Sequence, residues 1–382
     1  MKKETLKKIS AYTLKTLAFV GTTIGAIVIL LVMSLLLICR GPSLSARQLF
    51  VTTVLETGQL KFLASVFLSE EEIQAMVNQN SMKPMEDDVD LSLISIAVKQ
   101  NSNIVSSSGS IGLDADNTDT DSEQSPSQDS TPTDPHDGIE ICPVYGRTFY
   151  GTMLIIEDPS RVSLATTYPW SDLGKNLDVI AQEAGAIAAI NGGLYESWSN
   201  TGARPCGIAV SNGQIQLNKP QSLPGLYLIG LNYDNILVIK KISDMTSAQF
   251  EAYVTENGIR DAVAFQEEAS DKNNHFVPLI INGEARELNG MGSGLNPRTA
   301  IGQRADGALL LLVTDGRGAS SHLGASASDL INVMMEYGAV NAANLDGGSS
   351  SCMYYDGDYL MTSVTFYYSN ASWRLPAAFV VK

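Results

Sequence analysis

The pattern of hydrophobic and polar positions divides the chain into an apolar N-terminal run, a polar middle and a long region of short apolar segments. Residues 17–39 are almost entirely apolar, and this length suits a helix that crosses a bilayer. The basic tail over residues 1–16 carries five lysines, whereas only Arg40 and Arg47 follow the run closely. This asymmetry predicts a single-pass signal anchor at the cell membrane, with a cytoplasmic N-terminus and an extracellular C-terminal region. A cleaved signal peptide is the alternative, but its apolar core usually spans only about 7–15 residues.

Residues 40–105 form a predicted juxtamembrane stalk. Ser69 and Glu72 have the spacing of a helix capping box, and Ile73, Met76 and Val77 continue at helical spacing. We therefore expect a short amphipathic helix here, which packs on a partner or on the membrane surface.

Residues 106–138 are rich in Ser, Asp, Thr and Pro and contain no Lys or Arg. The segment has too few apolar side chains to offset the entropy of ordering, so it is predicted to be a disordered, extended linker.

Residues 139–382 repeat one order of elements three times: an apolar-periodic helix, a glycine that ends it, and a buried strand. Gly185, Gly258 and Gly338 are the glycines that end these helices. The second and third helices begin at capping residues, Thr246 and Ser326. This order predicts a single α/β domain of α+β character, with a mixed β-sheet and helices packed on it.

Further strands are predicted where residues alternate or run apolar, and tight turns at Asn212-Gly213 and Asn282-Gly283 indicate hairpins. These strands cover residues 152–156, 207–210, 226–229, 236–239, 277–281, 308–314 and 377–381.

Two strands of this domain end in similar polar and glycine-rich turns. Asn191 is followed by Gly192 and Gly193, and Asp346 is followed by Gly347 and Gly348. Since sites in α/β folds usually form at strand ends, the two turns are predicted to share one site. Glycines also allow a ligand to approach the backbone closely.

Composition and charge narrow the chemistry of this site. The net charge of −16 excludes a general affinity for nucleic acid, which requires a basic surface. An anionic ligand must therefore be bound by local arginines, and Arg204, Arg298 and Arg317 all lie in segments punctuated by Gly or Pro. A planar guanidinium suits bidentate binding of phosphate or carboxylate, so these arginines predict an anion pocket.

The positions of the cysteines and histidines say less about the function than the arginines do. No His/Cys cluster indicates zinc, and a surface-loop position is favoured for His322 over one at a pocket edge. Cys142, Cys206 and Cys352 are an odd number outside the membrane run, so at least one is free or pairs elsewhere. A disulfide between Cys206 and Cys352 is one candidate, because each lies beside a predicted site loop.

Four motifs together resemble the phosphodiester glycosidase family. They are NGG at 191–193, PRTAIGQ at 297–303, DGR at 315–317, and NLDGG with its following serines at 344–351. Arg374, shortly before the final strand, also fits the family pattern. One position departs from it, because the family usually has three glycines before the serines and Ser349 occupies the third place here.

The resemblance implies hydrolysis of a sugar-1-phosphodiester, typically one of N-acetylglucosamine. For this reaction our hypothesis assigns Arg298 and Arg317 to the phosphate, and Asp346 to the anomeric centre or the attacking water. Asp315 is implied as a second carboxylate, and Arg374 as a third anion contact or a support for Asp346. With Asn191 these two aspartates form the expected catalytic set. The expected substrate contacts are Arg204, Arg298, Thr299, Arg317, Arg374, Gly192, Gly193, Asn344, Gly347, Gly348, Ser350 and Ser351.

Asp315 and Asp346 are also expected to bind a divalent cation, Ca²⁺ or Mg²⁺, if one is used, because carboxylates are hard ligands. The expected partner is a sugar-phosphate molecule or an envelope polysaccharide. Three functions remain open: an extracellular hydrolase acting on envelope polymers or exopolysaccharide, a non-catalytic binding module, and a transferase to an acceptor other than water.

Overall fold

The computed structural model describes residues 2–57, 60–85, 87–96, 136–196, 200–267, 275–364 and 371–382. The predicted linker over residues 106–138 lies outside the described residues, except for its last three positions.

The N-terminal apolar run forms one long helix, α1 (Lys2–Arg40). Its part from Tyr12 to Arg40 contains an 18-residue stretch with a mean hydropathy of 2.7 and is long enough to cross a membrane. The length and composition of this helix fit a membrane anchor or a signal sequence.

Three short helices follow: α2 (Leu44–Leu55), α3 (Phe62–Phe67) and α4 (Glu70–Asn78). The predicted capping box at Ser69 and Glu72 is formed. Ile73 and Val77 on α4 pack into a small core with Val51 on α2 and Ala64 on α3. The predicted amphipathic helix is therefore confirmed, and its apolar side faces the neighbouring stalk helices.

The stalk is also fastened to the domain that follows it. The Asn80 amide donates to the Ser293 carbonyl at 2.9 Å and accepts from the Met291 N–H at 2.6 Å. Met82 forms a β-bridge with Leu288. Thus the stalk packs on its own globular domain, a contact between distant segments that local periodicity does not reveal.

The globular region contains three sheets, in which every described strand pair is antiparallel. The first sheet has the order β1 (Ile139–Tyr145), β2 (Tyr150–Ile156), β13 (Leu309–Thr314), β12 (Arg298–Arg304), β14 (Ala339–Asn344), β10 (Pro278–Ile281), β11 (Glu284–Ala285). The second has the order β16 (Asp358–Met361), β15 (Met353–Tyr355), β4 (Ala188–Asn191), β17 (Ala377–Val381), β3 (Val162–Thr166). The third has the order β6 (Gln214–Asn218), β5 (Ile208–Ser211), β9 (Ile259–Gln266), β7 (Leu226–Asn232), β8 (Leu237–Lys241).

The three predicted helix–glycine–strand units are present. They are α5 (Leu177–Glu183) before β4, α6 (Ser247–Glu256) before β9, and α7 (Ala327–Glu336) before β14. Each unit places its strand in a different sheet. The single domain of α+β character is confirmed, and three antiparallel sheets take the place of the expected mixed sheet.

The main hydrophobic core lies where the three sheets meet. Leu311 from the first sheet, Ile190 and Phe379 from the second, and Val263 from the third are almost completely buried in one cluster. Helix α7 covers the first sheet with Leu330, and α6 covers the third with Phe250 and Val254. This packing fixes the strand ends that carry the predicted site residues.

Candidate active site

The motifs beginning at Pro297, Asp315 and Asn344 lie together at the strand ends on one side of the first sheet, which we call the site edge. Strand β12 begins at Arg298 and pairs with both β13 and β14. Arg298 lies opposite Thr314, the last residue of β13, and Ala300 lies opposite Asn344, the last residue of β14. Because these strands run antiparallel, the start of β12 and the ends of its two neighbours meet at this edge.

Asn191 connects this edge to the second sheet. Its side-chain oxygen accepts hydrogen bonds from the Thr299 hydroxyl at 2.7 Å and from the Cys352 N–H at 3.3 Å. Its amide nitrogen donates to the Asp346 carbonyl at 2.7 Å. The side chain is fully buried and its hydrogen-bonding groups are used by the protein. These contacts favour a positioning role over the expected place in the catalytic set.

Asp346 is the carboxylate at the centre of the site. Its Oδ1 accepts from the Gly347 N–H at 3.0 Å, and its carboxyl group also bonds Ser350. Burial raises the pKa of Asp346 to about 6, against the lowering effects of Ser350, the Gly347 N–H and Arg317. The Ser350 hydroxyl lies 2.9 Å from the buried Tyr195 hydroxyl, so a chain of polar groups fixes this acid.

Tyr195 was not found from the sequence. Tyr195 lies two positions after Gly193, and in the sequence an aromatic residue at this point is most simply interpreted as part of the hydrophobic core. The signal that points to it is its place directly beside a predicted site turn.

Arg317 lies close to Asp346 and is held from two sides. Its Nε donates to Asn296 Oδ1 at 3.2 Å, and its Nη1 donates to the Ser349 hydroxyl at 2.9 Å. Burial, together with the charge of Arg298, lowers the pKa of Arg317, whereas the Asp346 carboxylate is among the groups that raise it. The two predicted phosphate-binding arginines and Asp346 thus share one electrostatic environment.

Arg298 is almost completely buried and is already paired. Its Nη2 forms an ion pair with Glu56 from the end of α2 and donates to the Ser293 hydroxyl at 3.1 Å and the Gly294 carbonyl at 2.9 Å. Its guanidinium also lies 5.0 Å from the centre of the Phe276 ring.

Glu56 occupies what the sequence predicts as the anion site. One oxygen of its carboxylate accepts from the Gly294 N–H at 2.5 Å, and the other accepts from Asn296 Nδ2 at 2.8 Å. Only 4 % of its side chain is exposed. A backbone N–H, an amide and a guanidinium are the donors expected of an anion-binding site, and here a residue of the stalk uses all three.

Asp315 lies at the end of β13 and has both oxygens engaged. Oδ1 accepts from the Tyr150 N–H at 2.8 Å, and Oδ2 lies 2.6 Å from His322 Nδ1. His322 lies in a loop, as predicted, with 32 % of its side chain exposed, and its ring is anchored by the Asp315 carboxylate.

The expected cation site is not assembled around these aspartates. The described residues contain no group of three or more His, Cys, Asp or Glu side chains placed to hold a metal ion. Both oxygens of Asp315 already accept hydrogen bonds, so the donor set does not fit Ca²⁺ or Mg²⁺ without rearrangement.

The remaining predicted contacts fall into three groups: buried polar residues, glycines and two arginines. Thr299 and Ser351 are buried, with their hydroxyl oxygens 3.2 Å apart, and Asn344 donates to the Phe276 carbonyl at 3.0 Å. These three residues build the base of the site.

The glycines are required by packing as well as by turns. A Cβ at Gly193 would lie 2.2 Å from the Ala264 carbonyl oxygen, and one at Gly348 would lie 2.6 Å from Arg317 Nη2. Gly192 and Gly347 are similarly approached by backbone carbonyl oxygens, those of Ala377 and Pro297. The close approach expected for a ligand is thus made, at three of these positions, by the protein backbone.

The side chains of Arg204 and Arg374 make no hydrogen bond or ion pair with the described residues around Asp346. Arg204 is half exposed and pairs with Glu196 at 3.7 Å, so its expected place in the anion pocket is not formed. The Arg374 main chain is held by Asn200, which accepts its N–H at 2.8 Å. Within the described part of the chain, the Arg374 side chain has no hydrogen-bonding partner.

Cys206 and Cys352 are free thiols, and the disulfide considered between them is not formed. Cys352 is completely buried among apolar side chains, including Leu177 and Tyr195. Burial raises the pKa of Cys206 to about 11 and also raises that of Cys352. Both thiols therefore stay protonated at neutral pH, which disfavours oxidation.

Comparison with known proteins identifies the family. Residues 184–382 match the family model described as phosphodiester glycosidase. The chain belongs to this family.

Individual relatives cover the chain less completely. A segment of 65 residues is 43% identical to the SPbeta prophage-derived uncharacterized protein YomE of Bacillus subtilis (strain 168); this is 17% of the chain and 10% of that protein. The chain therefore spans about a tenth of the length of this curated relative.

One solved structure supports the fold. The catalytic domain of zebrafish N-acetylglucosamine-1-phosphodiester alpha-N-acetylglucosaminidase, described as auto-inhibited by its pro-peptide, is similar with a TM-score of 0.50 and 18% identity, over 64% of this chain and 81% of that chain. A hypothetical protein from Synechocystis matches with a TM-score of 0.42 and 17% identity, over 64% of this chain and 62% of that chain.

Replacing Asn191 tests its positioning role. We expect Asn191→Ala to lower the free energy of unfolding by about 3 kcal/mol, because it leaves several buried groups without partners. Asn218→Ala is the matched control, since that amide bonds the Ser247 carbonyl and Glu251 in a half-buried position. Chemical denaturation of the full-length variants measures both values, and equal losses would contradict the role given to Asn191.

Proposed function

We propose that this protein is a membrane-anchored extracellular hydrolase that cleaves the sugar–phosphate bond of glycosyl-1-phosphodiesters. Membership of the phosphodiester glycosidase family indicates the reaction class. The observation that carries the proposal is the placement of the half-buried Asp346 carboxyl group near the half-buried guanidinium of Arg317, at the site edge, where Arg298 also lies.

This pair suits cleavage between the sugar C1 and its oxygen. The leaving group is a phosphate monoester, whose negative charge Arg317 neutralises as the bond breaks. The carboxylate of Asp346 stabilises the oxocarbenium-like sugar or activates the attacking water. Asp315 orients His322, while Asn191, Thr299, Ser350 and Ser351 hold the reacting groups in place.

The proposed substrate carries N-acetylglucosamine. The zebrafish enzyme with a similar fold is named for an N-acetylglucosamine-1-phosphodiester, and the same family covers residues 184–382 of this chain. With α1 as an anchor and the lysines on its cytoplasmic side, the domain faces polymers outside the cell. Envelope polymers or exopolysaccharide with phosphodiester-linked sugars are the substrates that fit this location, and Arg374 is a further contact for their anionic groups.

We also propose that the stalk restrains the enzyme through Glu56. The zebrafish catalytic domain is described as auto-inhibited by its pro-peptide, and here the stalk carboxylate occupies the donors around Arg298. A phosphodiester that uses Arg298 must displace this carboxylate. Since Glu56 precedes the globular domain and follows α1 closely, movement of the stalk helices would open the site.

A binding module that does not turn over its ligand is the second candidate, since the same pocket can hold a sugar phosphate without cleaving it. Product analysis separates the two. Full-length protein incubated with an N-acetylglucosamine-1-phosphodiester releases free sugar and a phosphomonoester if it is a hydrolase. Tight binding without products supports the module, and a sugar–acceptor adduct supports transfer; a parallel reaction with EDTA tests a divalent cation.

Asp346→Asn is expected to lower turnover on the order of 10²–10⁴-fold, because the amide neither carries the charge nor accepts a proton from water. The measurement is release of the phosphomonoester, made with Glu56 intact and with Glu56→Gln. Asp306→Asn is the control, since Asp306 pairs with Arg304 on the surface. Unchanged turnover in Asp346→Asn would remove this residue from the mechanism.

The pH dependence follows from the raised pKa of Asp346. Because the ionised carboxylate is the active form, kcat/KM rises as the pH increases through about 6. Ser350 lowers the pKa of Asp346, so Ser350→Ala moves the inflection to higher pH. A rate that is flat or falls between about pH 5 and 7 would contradict an ionised Asp346.

Glu56→Gln tests the restraint by the stalk. The neutral amide keeps the shape of Glu56 but not the charge attraction to Arg298, so we expect kcat/KM to rise by about 10-fold or more. Glu72→Gln is the control: Glu72 pairs with Arg40 on the stalk surface, and Gln retains the capping box. Equal activity of both variants and the parent protein would show that the stalk does not restrain turnover.

A further inference from the structure

Ser349 occupies the place where the family pattern has a third glycine, and the backbone explains why a side chain is accepted there. Gly348 has φ +63, a left-handed conformation that favours glycine, whereas Ser349 is not among the residues with positive φ. The turn at Gly348–Ser350 is a short 3₁₀ segment. The chain therefore needs glycine at 348 but not at 349.

The Ser349 hydroxyl has a specific partner. It accepts a hydrogen bond from Arg317 Nη1 at 2.9 Å, while Asn296 Oδ1 accepts from Arg317 Nε at 3.2 Å. Two of the three guanidinium nitrogens are thus held by neutral oxygens. The third, Nη2, lies over Gly348, where a Cβ would be only 2.6 Å away.

The hydrogen bonds to Ser349 and Asn296 hold Arg317 in place although charged groups surround it. Asp346 and Glu56 favour its charged form, and Arg298 opposes it. A guanidinium near a carboxylate normally closes into a bidentate ion pair. Yet among the described residues no carboxylate oxygen lies within the 4.0 Å of an ion pair from Arg317, so the neutral partners keep it separate.

We propose that Ser349 is a positioning residue whose hydroxyl holds the Arg317 guanidinium away from Asp346 and keeps it available for an anionic phosphate oxygen. The inference rests on the proposed phosphate-binding role of Arg317. Without the hydroxyl, Nη1 loses its acceptor, and the Asp346 carboxylate is one of the two carboxylates, with Glu56, whose charges act on Arg317. Closure of an ion pair between Arg317 and Asp346 would remove both the phosphate contact and the reacting carboxylate.

Three substitutions separate the hydroxyl from the size of the side chain. Ser349→Ala and Ser349→Gly remove the acceptor, and Ser349→Thr keeps it. Inorganic phosphate is titrated into the full-length protein by calorimetry, with Glu56→Gln in every sample so that Arg298 is also unpaired. We expect phosphate to bind about 10-fold more weakly to the Ala and Gly variants, and the Thr variant to keep the affinity of the parent.

Kinetics provide a second measurement. With the phosphodiester substrate, Ser349→Ala is expected to raise KM about 10-fold and to lower kcat, because the closed pair also engages Asp346. Ser349→Thr is expected to restore both. A crystal structure of Ser349→Ala is expected to show Arg317 paired directly with Asp346.

The inference is overturned if Ser349→Ala binds phosphate as the parent does, or if Ser349→Thr loses as much affinity as Ser349→Ala. An Arg317 that keeps its place in the Ser349→Ala structure would also overturn it. Absence of hydrolysis by the parent protein is a different result, because it rejects the proposed reaction while the phosphate titrations still report on Ser349.

Discussion

The buried amide of Asn191 is the constraint on which the site depends. It joins the end of β4 to Thr299 on β12, to the main chain of Asp346 after β14, and to Cys352 before β15. The first and second sheets are therefore connected by the Asn191 side chain, whose amide nitrogen and oxygen both have hydrogen-bonding partners in the protein. Any shift between the sheets would break these bonds inside the protein, where an unpaired polar group is costly. The position of Asp346 follows from this match.

Near Asn191 the site contains both positively and negatively charged side chains, and only some of them form ion pairs. Arg298 is paired with Glu56, whereas Arg317 is held by the neutral oxygens of Asn296 and Ser349. Asp346 is left with Ser350 and a backbone N–H, and burial raises its pKa. Such a site suits a negatively charged substrate, because the positive charge of Arg317 has no ion-pair partner among the described residues and is available to an anion.

Local signals in the sequence predicted much of this fold. Capping residues such as Thr246 and Ser326, glycines at helix ends and apolar runs are short-range features, and the corresponding helices and strands formed. The motifs at Asn191, Arg298, Arg317 and Asp346 were also brought together. The number and direction of the sheets were not predictable in the same way, since pairing depends on contacts between distant strands.

The direction of each side chain was harder still to predict. Whether Asn191 faces a ligand or the protein depends on Thr299, which is 108 positions away. The pair of Glu56 and Arg298 spans 242 positions, and Tyr195 meets Ser350 across 155. A motif indicates which residue types gather, but the partner of each atom is decided by the assembled core.

The central claim is that this site breaks the bond between the sugar carbon and oxygen. Hydrolysis of a glycosyl-1-phosphodiester in ¹⁸O-labelled water, followed by mass spectrometry of both products, tests it most directly. The account predicts that the label enters the sugar at C1 and that the phosphomonoester remains unlabelled. Label in the phosphomonoester would mean that water attacks phosphorus, and the roles given to Asp346 and Arg317 would then be wrong.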